Sequence, residues 1–459
     1  MWDLRVIDTD KSLYIAVADA IERDIRAEIL TAGEKLPAQR DLAKKVGVNV
    51  TTITRAYKEA EKRGLVTSIV GSGTYISSDL GFNSALVNTD KGEGQRIEMG
   101  LVLPLYAAEP DIAPIIQRVL HKNNLNDFMG YTPAQGLLRH RETGSAWMKR
   151  FGILADAENI IVTAGAQHAL SCILSSVFQP GDRIAVDCLT YPGIKTAARI
   201  CGIQLEAVAM DGEGMTPQSL EAVCSRHDVK GVYTVSTMQN PTNAFMSERR
   251  SAAIAEIIAK KDLILIEDDL YRFASSGDSG PLTVRIPEQS IYIAGISKAF
   301  FAGLRVSFVA APKRFCNRIS QTVVDTLWMA PTLNAEIACE CIASGTAEEI
   351  IASKRQELRC RARSMETELS GYEYRYVPDS MFVWVTLPDY WRSVEFERTA
   401  NVNGVNVISS DKFSVGSIVP PNCVRISLSG PGSMEEFEEG LAILRKILSF
   451  EIGSAGGVI

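Results

Sequence analysis

Tyr14, Ala18, Ile21, Ile25 and Ile29 recur at steps of three and four residues, so the first patterned stretch predicts an amphipathic helix. Gly33 breaks the pattern and Leu36-Pro37 opens a turn. A short helix over 38–46 ends at Gly47, and Asn49 then caps a third helix over 50–63, which Gly64 stops. Stretches 65–70 and 74–76 read as strands flanking a glycine-rich tip, Gly71-Ser72-Gly73, and predict a hairpin. Three helices and a hairpin predict a winged helix-turn-helix within residues 1–78. Without the hairpin, the same helices would read as a small domain with a solvated basic face.

Periodicity disappears over 79–95, where Ser, Asn, Asp and Gly collect, and this stretch predicts a linker. From 96 to 455, strand-like runs alternate with helical ones. The runs at 159–163, 183–186, 231–235, 263–266 and 291–293 are mostly continuously apolar. Such runs belong to the centre of a mostly parallel sheet covered on both faces, so the fold class is α/β. Polar groups gather where these strands end, the edge at which open α/β sheets hold ligands.

At those edges Lys298 follows the run 290–294, a place that solvation alone does not explain. One reading is a lysine that holds pyridoxal 5′-phosphate (PLP) as a Schiff base, with Arg305 gripping the phosphate in its planar fork. The other is a surface Ser-Lys pair at a strand end. Asp268 and its neighbours directly follow the apolar strand 263–266, where burial without a partner is costly. A carboxylate there suits a pyridine nitrogen, which it keeps protonated. Gly165, Ala166 and Gln167 open a helix whose N–H groups face an anion, although many α/β turns share that look.

Composition narrows the picture without naming a chemistry. The chain has 459 residues, 46% hydrophobic and 22% charged, the balance of a globular protein with a sizeable core. No apolar run is long enough to cross a bilayer, so no membrane partner is expected, and the first residues lack a signal-peptide pattern. Nine scattered cysteines without a CxxC pair fit thiols of a reducing cytoplasm, the expected compartment, and no metal site is expected. The net charge of −7 argues against coating nucleic acid throughout, yet eight basic side chains face four acidic ones between Glu34 and Ile76.

Two resemblances follow from these residues. Leu36-Pro37, Arg40, Leu42-Ala43, Val48-Asn49, Ala56-Tyr57, Gly64-Leu65 and Gly71-x-Gly-Thr-Tyr75 resemble the GntR-type winged helix. By that resemblance Arg40, Thr51, Thr52, Arg55 and Gly73 contact DNA. Val50 stands where the family often has Arg; an apolar residue there meets a thymine methyl but cannot bond guanine.

Tyr131-x-Pro133-x-x-Gly136, Gly165-Ala166-Gln167, Tyr191-Pro192, Asn240-Pro241-Thr242, Asp268-x-x-Tyr271, Ser297-Lys298 with Arg305, and 424–427 resemble the fold-type I aminotransferases of class I/II. The resemblance implies that Lys298 forms the Schiff base, Asp268 pairs with the pyridine nitrogen, and Asn240 and Tyr271 hold the 3′-oxygen. Tyr191 would stack on the ring. Gly165, Ala166, Gln167 and Arg305, with Tyr131 from a neighbouring subunit, would hold the phosphate, Ser297 would belong to the cofactor site, and Arg425 would hold an α-carboxylate. Gly295 replaces a Ser usual in the family, Asn243 a Gly, and Ala302 a Pro.

Together the halves resemble the MocR subfamily of bacterial regulators. That implies a homodimeric, PLP-dependent DNA-binding regulator that senses an amino acid or amine through an external aldimine. A working aminotransferase with an added DNA-binding domain remains the alternative, since every catalytic group is present. A third reading has the fold as a dimerisation platform without PLP.

Overall fold

The computed structural model describes residues 12–27, 29–30, 34–69, 73–76, 96–122, 124, 126–275, 280–416 and 418–449. The expected linker 79–95, the hairpin tip at Gly71 and Ser72, and the end of the expected second domain lie outside them. The chain divides into two compact units.

In the first unit α1 (Leu13–Arg26), α2 (Gln39–Val46) and α3 (Val50–Lys62) precede a hairpin of β1 (Val66–Ile69) and β2 (Gly73–Ile76). Val17, Ala18, Ile21, Leu42, Ile53 and Tyr57 share one core, which is why the three helices close on each other. Asn49 caps α3 by accepting from the Thr51 amide at 3.0 Å, and Gly47 ends α2 in the left-handed region at φ 72°. Ile29 departs from the periodic reading: α1 has already ended, and the residue is exposed.

The second unit holds a sheet of seven strands. In chain order they are β3 (Ile160–Thr163), β4 (Arg183–Asp187), β5 (Gln204–Val208), β6 (Val229–Thr234), β7 (Ile264–Asp268), β8 (Ser290–Gly295) and β9 (Ser307–Ala310). Across the sheet the order is β3-β9-β8-β7-β6-β4-β5, with β9 alone running antiparallel to both its neighbours. Every residue of β3, β8 and β9 is buried, as expected of strands covered on both faces. The periodic reading missed β5 and β9. The first is a half-exposed edge, and the second is four residues crowded between a loop and a helix.

A smaller antiparallel sheet places β10 (Tyr374–Arg375), β11 (Phe382–Thr386), β12 (Ile408–Ser409) and β13 (Cys423–Ser427) in the order β10-β11-β13-β12. Helix α4 (Ala166–Val177) follows β3, α5 (Pro192–Cys201) follows β4, and the 23-residue α6 (Thr346–Glu368) precedes the small sheet.

Candidate functional site

The parallel strands deliver their following residues to one cleft, and a cavity lined by Tyr191, Val235, Asn240, Asp268, Leu270 and Tyr271 opens there. Asp268 closes β7 and is buried. One carboxylate oxygen accepts from the Tyr233 hydroxyl at 3.0 Å; the other, also buried, has no partner among the described residues. Burial pushes its pKa up to about 7, against the lowering effect of Tyr233. Tyr271, three residues on, is buried with its ring edge-on to Phe382 at 5.4 Å.

Lys298 stands three residues beyond β8, its Nζ donating to the Val102 carbonyl. Burial, and then the positive charges of Arg425, Arg305 and Lys354, hold its pKa down at about 8. A larger share of this amine is therefore neutral, and nucleophilic, near neutrality than in an ordinary lysine.

Arg305 donates to Ser297 Oγ at 3.2 Å. Its guanidinium also lies across Gly165, where a Cβ would come within 2.4 Å of Nη2, so glycine is what lets arginine reach the start of α4. Gln167 donates to the Gly193 carbonyl at 3.0 Å and accepts from the Tyr191 hydroxyl at 3.4 Å. The structure thus brings Gly165, Ala166, Gln167, Ser297 and Arg305 to one end of the cleft, with Tyr191 beside them. It does not bring Tyr131 there: that ring is 80% exposed and packs on Trp328 at a centroid distance of 5.0 Å.

Arg425, on β13, is buried and points into the same cleft from the small sheet. Nη1 donates to Asn240 Oδ1 at 2.6 Å and Nη2 to the Gly100 carbonyl at 2.6 Å, while Nε has no partner among the described residues. Phe413 and Phe382 flank the guanidinium, and burial lowers its pKa to about 10. Both acceptors are neutral, and among the described residues no carboxylate forms an ion pair with it. Lys195 donates to the Lys412 carbonyl at 3.1 Å.

The family departures acquire physical reasons. A Cβ at Gly295 would stand 2.0 Å from Leu270 Cδ2, so Leu270 occupies the space that a serine side chain needs. Asn243 takes the left-handed conformation at φ 56°, donates to the Phe382 carbonyl at 2.7 Å and accepts from Ser380 at 2.7 Å.

Sequence reasoning missed an anchor behind the lysine. Lys354 of α6 is buried and pairs with Glu109 at 2.6 Å; Glu109 also accepts from the Phe301 amide at 2.9 Å, and Lys354 reaches the Lys298 carbonyl at 3.3 Å. A buried charge keeps such a partner because losing it costs about 3–5 kcal/mol. Glu98, likewise unsignalled, accepts from the amides of Gly100 and Leu101 and so fixes the loop whose carbonyl meets Arg425.

On the first unit Arg40, Thr51 and Arg55 are exposed and Thr52 is half-buried. Gly73 opens β2 at φ 128°, and a Cβ there would meet Lys35 Cε at 2.7 Å, so Lys35 lies along the wing. The basic excess read from the sequence is partly spent internally. Arg63 pairs with Asp19 at 2.6 Å, Glu22 at 3.3 Å and Glu59 at 3.0 Å, tying α3 to α1. All nine cysteines are free thiols. Among the described residues there is no cluster of three or more metal-ligating side chains, and no helix is long and apolar enough to cross a membrane.

Known proteins carry the same two parts. The family described as aminotransferase class I and II matches residues 104–444, and the bacterial regulatory proteins of the gntR family match 13–76. The chain belongs to the class I and II aminotransferase family, in the form joined to a GntR-type winged helix that marks the MocR regulators. Among its relatives is the HTH-type transcriptional regulator YdeF of Bacillus subtilis, 34% identical over 97% of this chain and 96% of that one. The vitamin B6 salvage pathway transcriptional repressor PtsJ of Salmonella typhimurium is 25% identical over 90% of this chain and 93% of that one. An archaeal alanine:glyoxylate aminotransferase superposes with a TM-score of 0.74 at 26% identity, covering 81% of this chain and 95% of that one.

Proposed function

We propose that this protein is a PLP-dependent transcriptional regulator whose aminotransferase-like unit senses an amino acid or amine. The observation that supports the cofactor is the buried carboxylate of Asp268, half satisfied by Tyr233 and otherwise without a partner among the described residues, in a cavity that Tyr191, Asn240 and Tyr271 also line. A protonated pyridine nitrogen is the group that such an oxygen lacks, so the residues fit PLP. When bound, PLP supplies an aldehyde that condenses with amines and a ring that withdraws electrons.

Each side chain then has a task of its own. Lys298 offers a largely desolvated amine for covalent attachment. Asp268 would hold a positive charge at the ring nitrogen, and Asn240 and Tyr271 would supply hydrogen bonds to the phenolic oxygen. Ser297, Arg305 and the amides of Gly165, Ala166 and Gln167 cradle the phosphate. Arg425, a buried cation whose acceptors among the described residues are neutral, favours an anionic ligand group, which points to a carboxylate on the effector.

Exposure of Tyr131 and Trp328 supports a homodimer in which Tyr131 reaches the partner subunit's phosphate site. Paired winged helices would then meet paired half-sites on DNA, with Arg40, Thr51, Thr52, Arg55 and the Gly73 wing at the contact. A cytoplasmic location goes with that role. Effector binding shifts DNA binding only so far as the effector prefers one arrangement of the protein.

Lys298→Ala tests the reading. The variant should lose borohydride-trapped PLP and its response to effector while keeping effector-free DNA binding. An unchanged effector response would contradict it.

A further inference from the structure

Lys354 of α6 and Glu109 form a buried ion pair to which none of the tasks above gives a role. Their side chains are 1% and 8% exposed, and they meet at 2.6 Å across 245 positions of sequence. Well-packed apolar residues of like volume often stabilise a core as well as such a pair does, so stability alone is a weak reason for these charges. Burial pulls the Lys354 pKa down, and Glu109 pulls it up.

A better reason lies in what else the two groups bond. Glu109 accepts from the Phe301 amide at 2.9 Å, and Lys354 donates to the Lys298 carbonyl at 3.3 Å. Both bonds end on the backbone of 298–301, which carries the reactive lysine. Phe301 is left-handed there at φ 41°, as is Arg305 beyond it at φ 51°, and non-glycine residues keep that conformation only where their surroundings hold them. Val102, on the same segment as Glu109, takes the Lys298 amine on its carbonyl. One segment therefore grips the lysine at its amine and, through the ion pair, at its backbone.

We propose that Lys354, locked by Glu109, is a positioning residue for cofactor attachment at Lys298, fixing the turn that carries the amine and setting a positive charge behind it. After burial, Arg425 and Arg305, that charge is a further influence opposing protonation of the Lys298 amine. Asp268, Tyr191 and Tyr271 are the titratable groups that line the cavity, and the variants that test the proposal leave them, Arg425 and Arg305 in place. The inference rests on the PLP reading above and adds a residue that acts through Lys298.

Full-length protein freed of cofactor is mixed with PLP and quenched with borohydride at intervals, and the fraction fixed on Lys298 is read by mass spectrometry across pH. Lys354→Met combined with Glu109→Gln removes both charges together, so that no unpaired ion is left buried. At about pH 7 this double variant should be fixed roughly three- to tenfold more slowly, because less of its amine is unprotonated, and the deficit should close toward about pH 10. Lys354→Gln, which keeps a donor but no charge, should show the same pH-dependent deficit, and Lys354→Arg, which keeps the charge, should recover most of the rate. A wild-type rate in both uncharged variants, or a deficit equal at every pH, would overturn the proposal while leaving the PLP reading intact. Failure of the wild-type protein to fix PLP on Lys298 would remove that reading, and this inference with it.

Discussion

Arg425 and Asn240 meet at 2.6 Å across 185 residues of sequence, joining the small sheet to the edge of the large one. In the proposed function Asn240 would serve the cofactor side of the cleft and Arg425 the effector side, so this one hydrogen bond would couple the two tasks. Arg425→Ala should weaken binding of α-amino acids roughly 10- to 150-fold, the worth of a hydrogen bond to a charged group. The matching amines, which lack the carboxylate, should change far less. Titrating both ligand series against the cofactor absorption checks this; equal losses would mean that Arg425 only supports the fold.

Asp268 gives a prediction that varies with pH. Its folded pKa, about 7, lies above the ordinary carboxylate value, so between pH 4 and 7 the folded protein without cofactor binds more protons than the unfolded chain. The contribution of this group to stability is therefore present at low pH and declines as pH rises through 7. Asp187 and Asp269, also near 7, add the same slope. Asp268→Asn should flatten the decline without abolishing it, as urea unfolding at stepped pH would show. The same variant should bind PLP roughly 10- to 100-fold more weakly.

Gly295 is a family departure that the packing explains. Gly295→Ser should destabilise the protein by about 1–3 kcal/mol, the range for overpacking a core, because Leu270 fills the site. Leu270→Ala should offset part of that loss in the double variant. A thermal melt of the four proteins measures the coupling, and additive losses would show that the two positions are independent.

The sequence carried the sheet strands with continuous apolar runs and the groups that follow them: Lys298, Asp268, Asn240 and Arg305 are each tied to a turn or strand end with a local signature. Glycines and caps marked the winged helix for the same reason. Lys354, Glu109 and Glu98 were not legible, since each is an ordinary charge in its own segment and becomes an anchor only when a distant loop arrives. Leu270 has no local signature in the sequence, since its role comes from the close approach of Gly295. The basic excess misled slightly because Arg63 has three acidic partners, two of them more than forty positions away.

The most direct test of the account is the absorption spectrum of full-length protein loaded with PLP, titrated with amino acids and then with a keto-acid acceptor, with DNA affinity measured on the same samples. The account predicts that one effector shifts the cofactor band and changes DNA affinity together, with little keto acid released. Repeated turnover to keto acid with DNA affinity unmoved would contradict it and leave a working aminotransferase in its place.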